Sequence, residues 1–225
     1  MSLRKFPLVT GEYYHIYSRG NGKRDIFHDK ADYQRFIRLL FIANSEENFR
    51  LSEIKNPFSI ERGDALVSVG AYCLMPNHFH ILLKQESDGG ISKFIQKIMT
   101  GYTMYYNKRY EKTGSLCEGK FKSELLDTDN YLKYVFSYIH LNPVKLIFSD
   151  WKERGFNNKI ERNRALVFLE EYPYSSSRSY IDPDIKEGLI LTKRSFPKYF
   201  PNKKSFRREI IDWLSYKERP QGKAS

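Results

Sequence analysis

The chain is poor in several residue patterns that would decide its class at once. Only two of its 225 residues are cysteine, Cys73 and Cys117, so neither a disulfide scaffold nor a cysteine-rich zinc site can be built. No stretch approaches the ~20 apolar residues that a membrane-spanning helix needs. The opening Met1-Ser2-Leu3-Arg4-Lys5-Phe6 has no apolar core of the signal-peptide kind, so a reducing, cytoplasmic setting with no membrane partner is expected. There is no internal repeat and no low-complexity tract. Acidic residues are in deficit as well: 27 Asp and Glu face 38 Lys and Arg, for a formal charge of +11.

What is present points to a globular, nucleic-acid-facing protein. A hydrophobic share of 40% is enough to bury a core, which excludes a wholly disordered chain. The length suits one domain, or one domain with an appendage. Aromatics reach 16%, with 17 Tyr and 16 Phe. Basic charge holds phosphates and flat rings stack on unpaired bases. The charge is uneven, because residues 192–225 carry ten Lys or Arg against three acids. With Phe196, Tyr199 and Phe200 interleaved among Lys193, Arg194 and Lys198, that tail reads either as an added phosphate-and-base contact or as a solvated end. Phe206, Ile210, Ile211 and Leu214 recur at helical spacing, so a short docked helix is expected there, before a disordered Pro220-Gln221-Gly222 end.

Periodicity gives the elements. Residues 12–19 alternate and read as a strand, broken by Gly20-Asn21-Gly22 with Lys23 and Arg24 beside the turn. Asp29 caps a helix over 30–43 whose apolar face is Tyr33, Phe36, Ile37, Leu40 and Phe41. Residues 44–64 are polar and turn-rich, a long loop or an insertion. Two strands, 65–73 and 78–85, form an antiparallel hairpin across Leu74-Met75-Pro76-Asn77. A long helix follows over 91–109, then a short strand within 116–126. A further helix capped by Asp127 or Thr128 runs to about 141 and stops at Pro143. This order predicts an α+β fold, an antiparallel sheet with packed helices of the ferredoxin-like kind.

Two clusters carry chemistry. In His78-Phe79-His80, residues two apart on a strand share a face, so both imidazoles converge. Such a pair can ligate one divalent metal with a third donor from elsewhere, or be two ordinary hydrogen-bonded histidines. In Tyr138-Ile139-His140-Leu141-Asn142-Pro143, Tyr138 and Asn142 lie four apart on one helix face. A Tyr hydroxyl is a weak nucleophile without assistance, and an Asn carbonyl suits a hard cation such as Mg²⁺ or Mn²⁺. The competing reading makes Tyr131, Tyr134, Val135 and Tyr138 simply a buried stripe. Pro143 also disfavours helical geometry at Asn142. Elsewhere, Gly20-x-Gly22-Lys23 lacks the spacing of a phosphate-binding P-loop and reads as a basic turn near DNA or a plain turn. Lys120 and Lys122, two apart on a strand, line one face toward phosphates or form a solvated face.

Taken together, the motifs resemble a known family. The stretch Ala71–Leu83 is similar to the His-hydrophobic-His (HUH) segment of the IS200-like, single-tyrosine transposases. Ser18-Arg19-Gly20-Asn21-Gly22 with Asp25-Ile26-Phe27, Gly119-Lys120-Phe121-Lys122-Ser123, Tyr138–Pro143 and Tyr172-Pro173-Tyr174-Ser175-Ser176-Ser177 also resemble family segments. The likeness is especially to the branch associated with repeated extragenic palindromes, and spans roughly 8–180. The resemblance implies an HUH endonuclease domain over 1–180, with a basic extension over 181–225 outside it. It further implies a metal-dependent nuclease and strand transferase for single-stranded or hairpin DNA. In that reading Tyr138 is the nucleophile forming a 5′-phosphotyrosine link, and His78, His80 and Asn142 hold Mg²⁺ or Mn²⁺. Arg19, Lys23, Arg24, Lys120 and Lys122 contact DNA, and family members act as monomers or homodimers. A phosphodiesterase that uses water and a non-catalytic nucleic-acid-binding protein are the two rival readings.

Overall fold

The computed structural model describes residues 6–156 and 158–215. Its centre is a four-stranded antiparallel sheet in the order β2-β3-β1-β4. The strands are β1 (Tyr13–Arg19), β2 (Val67–Met75), β3 (His78–Gln85) and β4 (Lys122–Leu125). Two helices, α1 (Lys30–Ile42) and α2 (Gly90–Tyr110), are the crossovers of a βαββαβ ferredoxin-like unit. Asp29 caps α1 by accepting from the Ala31 and Asp32 N–H groups. The β2–β3 connection is tighter than expected. Only Pro76 and Asn77 separate the strands, and the Pro76 carbonyl accepts from the Ile26 and Phe27 N–H groups. The turn is thereby fixed to the segment that leads into α1.

Because side chains alternate along each strand, the sheet has two distinct faces. Tyr14, Ile16, Tyr72, Leu74, Phe79, Ile81 and Leu83 point to one face and pack against α1 and α2. Ala71, Cys73, Met75 and Leu82 point to the other, against α3 (Asp129–Leu141). Thr128 caps α3 by accepting from the Tyr131 N–H. Pro143 does not end the helical path. Asn142 keeps right-handed helical geometry, φ −53° and ψ −41°, and the chain runs on as a 3-10 turn, Asn142–Leu146. Pro143 sits in the first turn of that 3-10 segment, where its missing N–H costs nothing.

Residues 44–64 contain two 3-10 turns, and Leu51, Phe49, Ile54 and Phe58 contribute to the α1/α2 core. The C-terminal part is packed too. After α4 (Trp151–Arg154), α5 (Lys159–Glu171) and α6 (Ser177–Ile181), helix α7 (Lys203–Ser215) buries Phe206, Ile210 and Leu214 in a core with Leu141, Trp151 and Leu169. Ile211, expected on the docking face, is 43% exposed. Phe196 is buried against Tyr13 and beside Gly70, and Phe200 meets Phe136 and Phe206. These rings dock the tail instead of offering a surface to bases. The outer edge of β2 is covered as well, by backbone hydrogen bonds to Tyr174 and Ser176. The Pro220-Gln221-Gly222 end lies outside the described residues.

Candidate active site

Strand pairing assembles the site on the α3 face. In the register, His80 of β3 lies opposite Tyr17 of β1 and Cys73 of β2, and His78 lies opposite Arg19 and Met75. His78 and His80 do converge, their ring centroids 5.0 Å apart and nearly perpendicular. The Tyr138 ring comes down edge-on against His80 at 5.6 Å. The pair and the tyrosine, 58 positions apart in the chain, are therefore neighbours.

A third histidine, unforeseen from the sequence, completes the cluster. His15 of β1 is buried on the same face, with its Nε2 2.9 Å from Nδ1 of His80. Their rings stack at 5.0 Å and 25°, and Tyr138 meets His15 edge-on at 5.9 Å. Residues 13, 15, 17 and 19 of β1 point to one face by simple alternation. That periodicity was legible, whereas the pairing with β3 was not. Tyr17 leans beside His80, and its hydroxyl lies 3.4 Å from Glu124 on β4.

The electrostatics of the cluster follow from burial and nearby cations. Burial pushes His15 down to about 3. Burial, then the Arg19 and Lys145 charges, pushes His78 down to about 4. His80 lies well below its usual value, mainly through burial, with His15, His78, Lys152 and Lys145 adding to it. All three imidazoles are thus neutral near pH 7, the state in which a ring nitrogen can ligate a metal. Burial, with the Tyr134 hydroxyl nearby, raises the Tyr138 hydroxyl above its ordinary value. The Lys152 ammonium sits 4.0 Å from the Tyr138 ring centroid. Lys145 and Lys152 carried no motif in the sequence and are brought here by the 3-10 turn after α3 and by α4.

The expected DNA-contacting residues divide. Arg19 is exposed at the end of β1, beside His78. Lys23 and Arg24 are exposed in the following turn, which the Asn77 side chain anchors by donating to the Lys23 carbonyl at 3.0 Å. Lys122 lies over the Tyr17 ring at 5.9 Å, on the site face. Lys120 does not share that face. Strand β4 begins only at Lys122, Gly119 turns the chain with φ +59°, and Lys120 lines a groove against α2 with Ser18, Gln96 and Thr103.

The residues suit a hard divalent ion. Among the described residues no cluster of three or more His, Cys, Asp or Glu side chains is arranged to hold a metal, so a third donor to the His78–His80 pair must be of another kind. Asn142, one helical turn after Tyr138, carries a candidate oxygen. Its Nδ2 donates to the Tyr138 carbonyl at 2.9 Å, while its Oδ1 is buried with no hydrogen-bond partner. An orphaned buried acceptor is costly and calls for an explanation, and a bound cation is one. Two imidazole nitrogens and an amide oxygen form a donor set that Mg²⁺ or Mn²⁺ accepts. His140 is spent elsewhere, paired with the Ser176 hydroxyl at 2.8 Å.

The model of the family described as "Transposase IS200 like" matches residues 9–142, a span holding both His78-Phe79-His80 and Tyr138 through Asn142. The chain belongs to the IS200-like transposase family. No curated protein matches it in sequence. Among solved structures, this IS200-like protein is similar in fold to a REP-associated tyrosine transposase bound to a REP hairpin, with a TM-score of 0.53 and 14% identity. The match covers 80% of this chain and 86% of that one. Among the described residues no helix is long and apolar enough to cross a membrane.

Proposed function

We propose that this IS200-like protein cuts and rejoins single-stranded DNA beside a hairpin, with Tyr138 as the nucleophile. The observation that carries this reading is the edge-on seating of the Tyr138 ring against His80 and His15, one helical turn before the orphaned Asn142 oxygen. His78, His80 and Asn142 would hold Mg²⁺ or Mn²⁺, which when bound neutralises charge on the scissile phosphate. Arg19, Lys145 and Lys152 add positive potential around His78 and His80, which would favour a bound phosphate there.

Tyr138 enters the reaction protonated, because its hydroxyl is raised. Its oxygen forms a bond to phosphorus as its proton leaves to solvent, the bond to the 3′ oxygen breaks, and that oxygen takes up a proton as it departs. The products are a 5′-phosphotyrosine and a free 3′-hydroxyl. No water is consumed, so the reverse attack by a 3′-hydroxyl restores a phosphodiester. Tyr138 lies against His80 of its own chain, so one chain carries a whole site, whether light scattering reports a monomer or a homodimer. A DNA substrate and two buried free cysteines fit a cytoplasmic setting.

The test is incubation with single-stranded oligonucleotides carrying a hairpin, with Mg²⁺ or Mn²⁺, followed by a denaturing gel. A covalent adduct lost with EDTA and with Tyr138→Phe is expected. Cleavage without an adduct would replace this reading by the water-using phosphodiesterase. Binding that is indifferent to EDTA and to His78→Ala, with no cleavage, would replace it by a binding protein.

A further inference from the structure

We infer that His15 is a positioning residue that fixes the proton of His80 on Nδ1 and so presents His80 Nε2 as a metal ligand. The inference rests on the metal-binding reading of His78, His80 and Asn142.

His80 has two ring nitrogens, and one is already committed. Nδ1 lies 2.9 Å from Nε2 of His15, in a contact buried on both sides. A hydrogen bond between two neutral imidazoles contains one proton. It belongs either to His80 Nδ1, leaving His80 Nε2 with a lone pair, or to His15 Nε2, leaving His80 Nε2 protonated and unable to ligate. Only the first arrangement is compatible with a metal at His80 Nε2. In it His15 accepts at Nε2 and carries its own proton on Nδ1.

The setting makes the ring orientation rigid. His15 stacks on His80 at 5.0 Å and 25°, and the Tyr138 ring closes over both edge-on. Both histidines stand on central strands, β1 and β3, held in register from Tyr13 to Arg19. Partners of this kind set the tautomer and basicity of a ligating histidine, and their loss commonly weakens metal binding about 10- to 100-fold. His78 and Tyr17 also neighbour the His80 ring, and the Tyr17 hydroxyl is directed to Glu124. Among the described residues His15 is the side chain in hydrogen-bond contact with His80.

The experiment is a Mn²⁺ titration of the full chain without DNA, read by the electron paramagnetic resonance signal of free Mn²⁺. His15→Phe keeps a flat ring and removes the acceptor, and is expected to weaken Mn²⁺ binding about 10- to 100-fold. His15→Gln restores an acceptor oxygen and is expected to recover most of that loss. A His15→Phe protein that melts near the parent and binds Mn²⁺ equally well would overturn the inference. Should His15→Phe fail to fold, imidazole ¹⁵N spectra of the metal-free parent decide. His80 protonated on Nδ1 supports the inference, and His80 protonated on Nε2 overturns it. If the parent itself binds no Mn²⁺, the metal-binding reading fails first, and the spectra still report the tautomer separately.

Discussion

The two faces of one sheet have been put to opposite uses. Toward α1 and α2 the strands present Tyr14, Ile16, Phe79 and Ile81, which meet Phe36, Phe94 and Tyr102 in a nearly wholly buried core. Toward α3 the same strands present His15, Tyr17, His78 and His80, with Tyr138 closing over them. The first side holds a fully partnered buried carboxylate. Asp32 is buried, and its two oxygens accept from Tyr105, Tyr110, Arg109 and the His28 N–H. On the second side the buried Asn142 oxygen has none. Arg35 Nε on α1 and Ser87 Oγ just before α2 are also buried without hydrogen-bond partners, so what sets the Asn142 oxygen apart is its place one helical turn from Tyr138.

The comparison breaks most decisively with one substitution on each face. Tyr138→Phe removes a single oxygen and is expected to abolish adduct formation, by about 10³-fold or more, with a thermal melt close to the parent. Phe36→Ala is expected to cost about 3–5 kcal/mol of stability, read by urea unfolding, while the molecules still folded form adduct normally. Adduct persisting in Tyr138→Phe would shift the nucleophile to Tyr134, whose ring neighbours Tyr138 at 6.1 Å.

The next contrast is between a satisfied and an orphaned buried polar group. Asp32→Ala takes the acceptor from the Tyr105 and Tyr110 hydroxyls and the His28 N–H, and leaves Arg109 with Asp29. It is expected to cost about 3 kcal/mol, toward the low end for a broken buried pair because Arg109 is 33% exposed. Asn142→Leu gives up one hydrogen bond but also removes an unpaired acceptor, so metal-free stability should change by no more than about 1 kcal/mol. The same variant should lose metal-dependent adduct. Large destabilisation by Asn142→Leu would mean that its oxygen already has a partner, and the case for it as a ligand would weaken.

These contrasts show how far the sequence could be read. The ferredoxin-like order was legible because α1, α2 and α3 each carry a clear helical stripe, with side-chain caps at Asp29 for α1 and Thr128 for α3. Local spacing gave the faces of His78, His80 and Tyr138, but the resemblance to the IS200-like family is what singled Tyr138 out from a stripe of tyrosines. His15, Lys145 and Lys152 were not, since their roles depend on strand register and on a turn that brings α4 back to α3. Lys120 illustrates the opposite failure. The two-residue spacing implied a shared face with Lys122, but the strand starts one residue after Phe121, and Gly119 redirects the chain. In the tail, helical spacing foretold the docked helix, but composition cannot distinguish an aromatic ring that docks from one that waits for a base.

Acid should weaken the metal-free protein through its buried histidines. In the folded state burial holds His15 and His140 down to about 3 and His78 to about 4, whereas an unfolded chain titrates near 6.5. Between those values the unfolded chain binds more protons, so stability rises with pH there. The contribution is complete above about pH 6.5 and drains away as pH falls toward about 3. Urea midpoints at about pH 7, 5.5 and 4 should fall in that order. His140→Gln should make the fall shallower, and an unchanged fall would remove His140 from the account.

The smallest expected effect compares Lys122 with Lys120. Both are exposed, so removing either should leave the melt unchanged. Lys122 stands on the α3 face over Tyr17, whereas Lys120 lines the groove against α2. If single-stranded DNA crosses only the α3 face, Lys122→Ala loses one phosphate contact. The slope of log affinity against log salt should then flatten by about 0.7. Lys120→Ala should leave that slope as it was. Equal flattening by both would mean that the strand wraps the β4 edge and touches both faces. No flattening by either would leave Arg19, Lys145 and Lys152 to hold the phosphates nearest Tyr138.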